Sequence, residues 1–238
     1  PLVTDTGFVL GAYLWGSVPS AYLVARYFKG IDIREFGSGN VGATNVMVHV
    51  GKWTGFLQGV FDFAAKGVAP IVLAKILDQS LAVQAAMGLA AIAGHNWSPY
   101  IRFTGGRGVA TAIGVVLGLA MWQEFLILTA VIGLIGRVLK RDTGFSTFVA
   151  MVSLPVIAYK FDRPVELLTV SIGIGVVLMS KRLSANWEPL PSGSSVLRVM
   201  VYRALWDRDV SKQTDWTERR PDTDNEQSTR GLGDHILR

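Results

Sequence analysis

Half of the 238 residues are hydrophobic, 17% are charged and none is cysteine, which places the chain with polytopic membrane proteins rather than soluble domains and excludes disulfides and thiolate metal sites. The formal net charge of +5 comes from the first 185 residues, with 15 Lys and Arg against 9 Asp and Glu, whereas the remainder carries 8 against 9. A basic inner face that retains topology and attracts anionic headgroups explains this excess, and nucleic acid is not expected as a partner. The three histidines, His49, His95 and His235, are too scattered for a metal cluster, so neither metal nor cofactor is expected.

Apolar stretches of about the length a bilayer requires recur along the chain. The first, 7–28, lacks a basic leader and an obvious cleavage site, so it is expected to persist as a span rather than leave as a signal peptide. A charged linker, 29–35, leads into Gly37-Ser38-Gly39-Asn40-Val41-Gly42-Ala43-Thr44-Asn45. Glycines there let backbone N–H groups approach an oxyanion, while Ser38, Asn40, Thr44 and Asn45 add side-chain donors, the make-up of a phosphate loop. The run also satisfies Gly-x-Gly-x-x-Gly, but a dinucleotide site needs a buried strand before it and an acidic residue on the next strand, and neither is present.

The second stretch, 54–77, carries Asp62 and Lys66 on one helix face. Each costs about 2.5–3.5 kcal/mol at a bilayer centre, so either they pair with one another or Lys66 meets an anion while Asp62 holds it in place. The third, 80–96, ends at His95-Asn96-Trp97, where His95 reads either as a helix-end histidine or as part of a site. Gly105-Gly106-Arg107-Gly108 opens the fourth, 108–123, so that helix N–H groups, the dipole and the Arg107 fork can face one phosphate. Gly114 and Gly118 have helix-packing spacing. Stretches at 124–139, 144–160 and 165–180 bring the expected count to about seven.

Beyond Asn186 the composition changes. Ser195 to Trp206 suits a short amphipathic helix on the inner membrane surface, and the chain after Asp207 is polar and expected to be disordered. The expected organisation is a membrane domain over 1–185, an interfacial segment over 186–210 and a cytoplasmic tail over 211–238. Basic residues cluster on alternate connections: Arg26, Lys29, Arg34 and Lys52; Arg102 and Arg107; Arg137, Lys140 and Arg141; Lys181 and Arg182. The others hold only Lys75, Lys160 and Arg163. The fold class expected is therefore all-α and polytopic, with the amino terminus outside and the carboxyl tail in the cytoplasm.

From about Gly16 to Asn186 the chain resembles the bacterial acyl-phosphate-dependent glycerol-3-phosphate acyltransferases, integral membrane enzymes of phospholipid synthesis. The resemblance rests on Gly16-Ser17-Val18-Pro19-Ser20, on Asp32-Ile33-Arg34 with Gly37–Asn45, on Asp62 with Lys66-Gly67, and on Gly94-His95 through Gly105-Gly106-Arg107-Gly108-Val109-Ala110-Thr111. It implies seven helices and a cytoplasmic-side pocket in a bacterial plasma membrane. The substrates it implies are acyl phosphate and glycerol 3-phosphate, beside membrane lipid, and the product is acylated at the sn-1 hydroxyl. In the implied site, Ser38, Asn40, Thr44 and Asn45 bind phosphate or developing oxyanion, with backbone donors from Gly37, Gly39, Gly42, Gly105, Gly106 and Gly108. Lys66 and Arg107 offset charge, His95 orders the loop, Asn186 contacts phosphate, and Asp62, Arg34 and Arg182 support them.

Four positions depart from the family pattern: Val48 stands where Arg is usual, Arg107 where Lys is usual and Leu183 where His is usual, and the Asp62–Lys66 interval is one residue longer. Ser146 or Thr147 stands for a further family serine. The departures open a second reading, a divergent or inactive relative that binds lipid or phosphate. An acyl-CoA-dependent acyltransferase would show His-x4-Asp, but Tyr100 and Thr54 fall at that spacing from His95 and His49. A transporter would show a broken helix repeated in two halves, which is absent. Single cysteines introduced beside Ser38 and beside Gly106 are expected to resist an impermeant thiol reagent in intact cells and to react in inverted vesicles; labelling from outside would refute both the topology and a shared pocket.

Overall fold

The structure, a computed structural model, describes residues 2–134, 136, 143–190 and 194–209. The all-α expectation holds: among the described residues, the one pairing of β type is an isolated bridge between Ser98 and Thr104. The tail 211–238, with His235, and the basic residues Arg137, Lys140 and Arg141 lie outside the described residues.

The first apolar stretch forms α1 (Leu2–Gly16) and α2 (Ser20–Lys29), interrupted where Pro19 has no N–H to continue the ladder. A left-handed Gly30, φ 68°, closes α2 by donating to the Arg26 carbonyl at 3.0 Å. A 3-10 turn, Ile33–Glu35, is capped by Asp32 and precedes α3 (Ala43–His49). Next come α4 (Lys52–Phe61), a π-helical turn over Asp62–Val68 and α5 (Ala69–Ile76), one continuous rod. The π turn holds the lengthened Asp62–Lys66 interval and ends two residues before Pro70, whose ring disfavours a regular ladder.

The remaining helices are α6 (Leu81–Asn96), α7 (Val109–Gly118), α8 (Trp122–Gly133), α9 (Thr143–Lys160), α10 (Val165–Ser184) and α11 (Val196–Trp206). Each of the seven expected spans contains helix, but 7–28 is split between α1 and α2, 108–123 is broken after Gly118, and 135 and 137–139 of the span expected over 124–139 lie outside the described residues. Four, Val3–Lys29, Lys52–Ile76, Thr143–Lys160 and Val165–Trp187, are long and apolar enough to cross a membrane. Helices α6, α7 and α8 are shorter, at 16, 10 and 12 residues.

Small residues bring the rods together. A Cβ on Gly67 would stand 2.7 Å from the Gly114 Cα, so the π turn and α7 touch backbone to backbone, and Gly118 would come within 3.0 Å of Ile71. Gly114 and Gly118 thus act as the packing residues their spacing suggested. The core between α5 and α10 is built on Ile71, Ile92, Val115, Val116, Met121, Leu154, Val170 and Ile174. Outward faces carry Leu10, Trp53, Leu57, Ile76, Leu126, Val156 and Val176, a liability in water but ordinary in lipid. Two basic residues expected on the opposite side have internal partners: Arg163 makes a bidentate pair with buried Glu124 at 2.7 and 2.8 Å, and Lys75 donates to the Gly118 carbonyl at 2.7 Å.

Helix α11 keeps Val196, Leu197 and Val201 exposed, as an interfacial helix would, but its other face is docked on the bundle through buried Val199 and Arg203. Arg203 donates to the carbonyls of Leu183 and Glu188 at 3.1 and 3.2 Å and pairs with Asp209 at 2.6 Å. Gly114→Leu is expected to cost about 1–3 kcal/mol or more through overpacking, read as a lower Tm in detergent. Gly133→Ala, where a Cβ meets nothing within 4 Å, should leave Tm unchanged or raise it.

Candidate active site

The three motif segments converge at one end of the bundle around a cavity of about 390 Å³. The loop between the first 3-10 turn and α3 is shaped from inside by Asn45, whose Nδ2 donates to the carbonyls of Ile33, Phe36 and Asn40 at 3.1, 2.9 and 3.1 Å. Asn45 is therefore buried in the loop and is not part of the cavity wall, whereas Ser38, Asn40 and Thr44 are. Gly37 and Gly39 have φ of 54° and 65°, which turn the chain back between the Ser38 and Asn40 side chains. Gly42 begins α3 in extended conformation.

The approach to this loop is clipped by Arg34, which grips Asp32 at 2.9 and 2.6 Å and stacks over Tyr22. The guanidinium hydrogen bond holds the Asp32 carboxyl below the usual carboxylate range against the opposing effect of burial. A depressed carboxyl contributes stability above its unfolded pKa and loses it as pH falls through the folded one, so the clip is complete at neutral pH. Arg34 is a support of the loop and lies off the cavity wall.

The turn before α7 lies directly on the end of α6. A Cβ on Gly105 would approach the Asn96 carbonyl carbon to 2.7 Å, and one on Gly106 would meet the Val41 carbonyl oxygen at 2.7 Å and collide with the His95 ring. Their N–H groups are used internally: Gly105 donates to Asn186 Oδ1 at 3.1 Å and Gly106 to the His95 carbonyl at 3.1 Å. The part of this motif on the cavity is Arg107, Gly108 and the first turn of α7, Val109 and Ala110, where helix N–H groups have no intrahelical partner.

Asn186, next to the end of α10, joins the two motifs. Its Nδ2 donates to the carbonyls of Gly39 and Gly105 at 3.3 and 3.1 Å. Lys181, fully buried, donates to Asn186 Oδ1 and to the Asn96 carbonyl, with its ammonium 5.5 Å from the Trp97 ring centroid. Sequence reasoning read this lysine as a topology charge. Its signal, a cation five positions before Asn186, becomes meaningful only when the loop and turn are seen beside it.

The paired arrangement foreseen for Asp62 and Lys66 is present. Lys66 Nζ lies 2.8 Å from Asp62 Oδ1, donates to Ser20 Oγ at 2.9 Å and stands 3.4 Å from His95 Nδ1. Ser20 in turn donates to Asp62 at 2.8 Å, and Gln58 donates to its other oxygen. Asp62 and His95 face the cavity, while Lys66 sits behind them.

Arg182 lines the cavity and donates to the carbonyls of Gly144 and Ala204, both at 2.9 Å. Of the two hydroxyls considered for the later serine, Thr147 reaches the wall and Ser146 is buried. Val48 is 53% exposed and is absent from the wall. Three residues that no motif pointed to, Trp206, Asp207 and Arg208, complete the wall from the end of α11. Arg107, Arg182 and Arg208 against Asp62 and Asp207 leave the lining net positive, suited to an anion. Val109, Ile113, Ile132 and Thr147 also border a narrow apolar crevice of about 30 Å³ that runs between α7, α8, α9 and α10.

Residues 6–192 match the family model described as glycerol-3-phosphate acyltransferase. Among curated relatives, glycerol-3-phosphate acyltransferase 5 of Dehalococcoides mccartyi (strain ATCC BAA-2266 / KCTC 15142 / 195) is 37% identical over 216 residues, covering 88% of this chain and 91% of that one. Glycerol-3-phosphate acyltransferase of Synechococcus sp. (strain JA-2-3B'a(2-13)) is 39% identical over 187 residues, covering 76% and 92%. The crystal structure of PlsY (YgiH), an integral membrane glycerol 3-phosphate acyltransferase, in its glycerol 3-phosphate form, superposes with a TM-score of 0.68 at 34% identity, covering 75% of this chain and 88% of that chain. On these matches and on its membrane-length helices, the chain is a membrane protein that belongs to the glycerol-3-phosphate acyltransferase family.

Proposed function

We propose that the protein transfers a fatty acyl group from acyl phosphate to the sn-1 hydroxyl of glycerol 3-phosphate, releasing lysophosphatidic acid and phosphate. The observation that carries this reading is a cavity with cationic and hydroxyl groups at its polar part and an apolar crevice leading off it between the helices. An acyl phosphate has this division: a phosphate to hold and a chain to bury. We place the site on the cytoplasmic side of a bacterial plasma membrane, in a seven-helix domain over 1–185 with the amino terminus outside, followed by the 186–210 segment and the 211–238 tail.

Acyl phosphate is an activated mixed anhydride, so positioning and charge stabilisation carry the reaction. The substrate hydroxyl oxygen attacks the acyl carbonyl, phosphate departs with the bonding pair, and the hydroxyl proton passes to a substrate phosphate oxygen. Arg107, Arg182 and the first turn of α7 balance phosphate charge; Ser38, Asn40 and Thr44 donate to phosphate or developing oxyanion. His95 and Asp62 line the adjoining wall, with Lys66 neutralising Asp62 from behind. Asn45 and Asn186 position the loop and the turn.

The purified chain is expected to turn over acyl phosphate with glycerol 3-phosphate, and Arg107→Ala to lower the rate about 10²-fold or more if one charge-stabilising contact of a few kcal/mol is lost. Full turnover with acyl-CoA alone would overturn the donor assignment. The second reading, an inactive phosphate- or lipid-binding relative, rests on Val48 and Leu183. It would be favoured by a folded preparation that binds glycerol 3-phosphate but uses no acyl phosphate. Separately, Lys66→Met should destabilise the fold by about 3–5 kcal/mol by leaving the Asp62 carboxylate buried without its cation. The double variant with Asp62→Asn should recover much of that loss in thermal unfolding, and additive losses would refute the coupling.

A further inference from the structure

Residues 196–209 lie beyond the stretch 6–192 that matches the family, yet they close one side of the cavity. Helix α11 is held there by Arg203, by the Arg182 bond to the Ala204 carbonyl and by stacking of Trp206 on Phe145 with ring centroids 6.5 Å apart. This docking delivers the Asp207 carboxylate to Arg107, with Oδ1 2.9 Å from Nε.

The contact is close but poorly directed. Both Arg107 Nε and Asp207 Oδ1 are buried and neither has a hydrogen-bond partner, so charge is matched without an aligned N–H···O bond. Asp207 also caps the carboxyl end of α11 with φ 57°, where the helix dipole disfavours a carboxylate. The anchoring of α11, not the geometry of the pair itself, keeps these charges together. A phosphate, with three acceptor oxygens, can instead take the paired, directed bonds that a guanidinium fork offers.

We propose that Asp207 is a built-in anionic place-holder: its carboxylate competes with the substrate phosphate for Arg107, so the carboxyl-terminal extension sets the affinity of the active site for its phosphorylated substrate. This rests on the acyltransferase reading, which makes Arg107 a phosphate ligand. The anchors at Arg203 and Arg182 remain in place, and displacement requires only that the Asp207 side chain swing away. Arg208, next in the chain and also on the wall, keeps a cation at the rim when it does.

Titration calorimetry of the full chain in detergent, without acyl donor, separates the possibilities. Asp207→Asn is expected to bind glycerol 3-phosphate and inorganic phosphate about threefold or more tightly than the wild type, taking as a lower bound the factor that an exposed ion pair carries. Its KM for glycerol 3-phosphate should fall by a similar factor with little change in kcat, and Asp207→Glu, which keeps the charge, should stay near the wild type. Unchanged or weaker phosphate binding by Asp207→Asn would overturn the proposal and make Asp207 a positioning partner of Arg107 or a bystander. A wild-type chain that binds neither phosphate compound overturns it together with the functional reading. One that binds both yet turns over no acyl phosphate defeats only the functional reading, and the dissociation constants still decide the place-holder.

Discussion

The site depends on one amide. Asn186 donates to Gly39 and Gly105 and accepts from Gly105 and Lys181, so a loop after α2, a turn before α7 and the end of α10 are tied at a single side chain. Neither the loop nor the turn is a helix or sheet of its own, whereas the end of α10 is carried by its helix. Asn45 shapes the loop from inside, but a cavity between a loop and a turn has a defined shape only if their separation is fixed, and Asn186 fixes it together with the Val41 N–H bond to the Gly105 carbonyl at 3.4 Å. The reciprocal pair between Asn186 and Gly105 imitates a rung of β-ladder, and the glycines at 105 and 106 allow the turn to lie flat on α6 beneath it.

Charge in an apolar bundle is the second constraint. Asp62 and Lys66 are each 2% exposed, and their cost is met by a closed circuit with Ser20 and Gln58. That circuit also joins the break between α1 and α2 to the π turn and to His95, so an electrostatic necessity becomes a structural tie across the first, second and third expected spans. The widened turn at Asp62–Val68 and the contact between Gly67 and Gly114 place Asp62 on the cavity wall while Lys66 stays behind it. The pair thus neutralises itself within the bundle while its carboxylate also borders the cavity.

The polar cavity and the apolar crevice share the first turn and a half of α7, so a charged and an apolar environment meet on one helix. Docking of α11 then makes the cavity a property of more chain than the matched stretch 6–192 contains.

The sequence by itself determined the membrane class, the helical segments, the three motif regions and the net positive character of their surroundings. These are properties of run length, composition and short spacing, which local physics sets without reference to distant residues. The Asp62–Lys66 pairing was legible for the same reason, being an i, i+4 contact. Tertiary structure alone decided how competing donors were used: the Asn45 amide inside its own loop, the Gly105 and Gly106 N–H groups on Asn186 and His95, and Lys181 on Asn186. It also decided that Arg107 meets Asp207 and that Arg182 meets Ala204. A polar group takes whichever partner folding brings within about 3 Å; for Gly105 and Arg107 that partner lies far along the chain, and for Asn45 and Lys181 it is nearby but set by the irregular path of a loop or helix end, so spacing and composition carry no record of it.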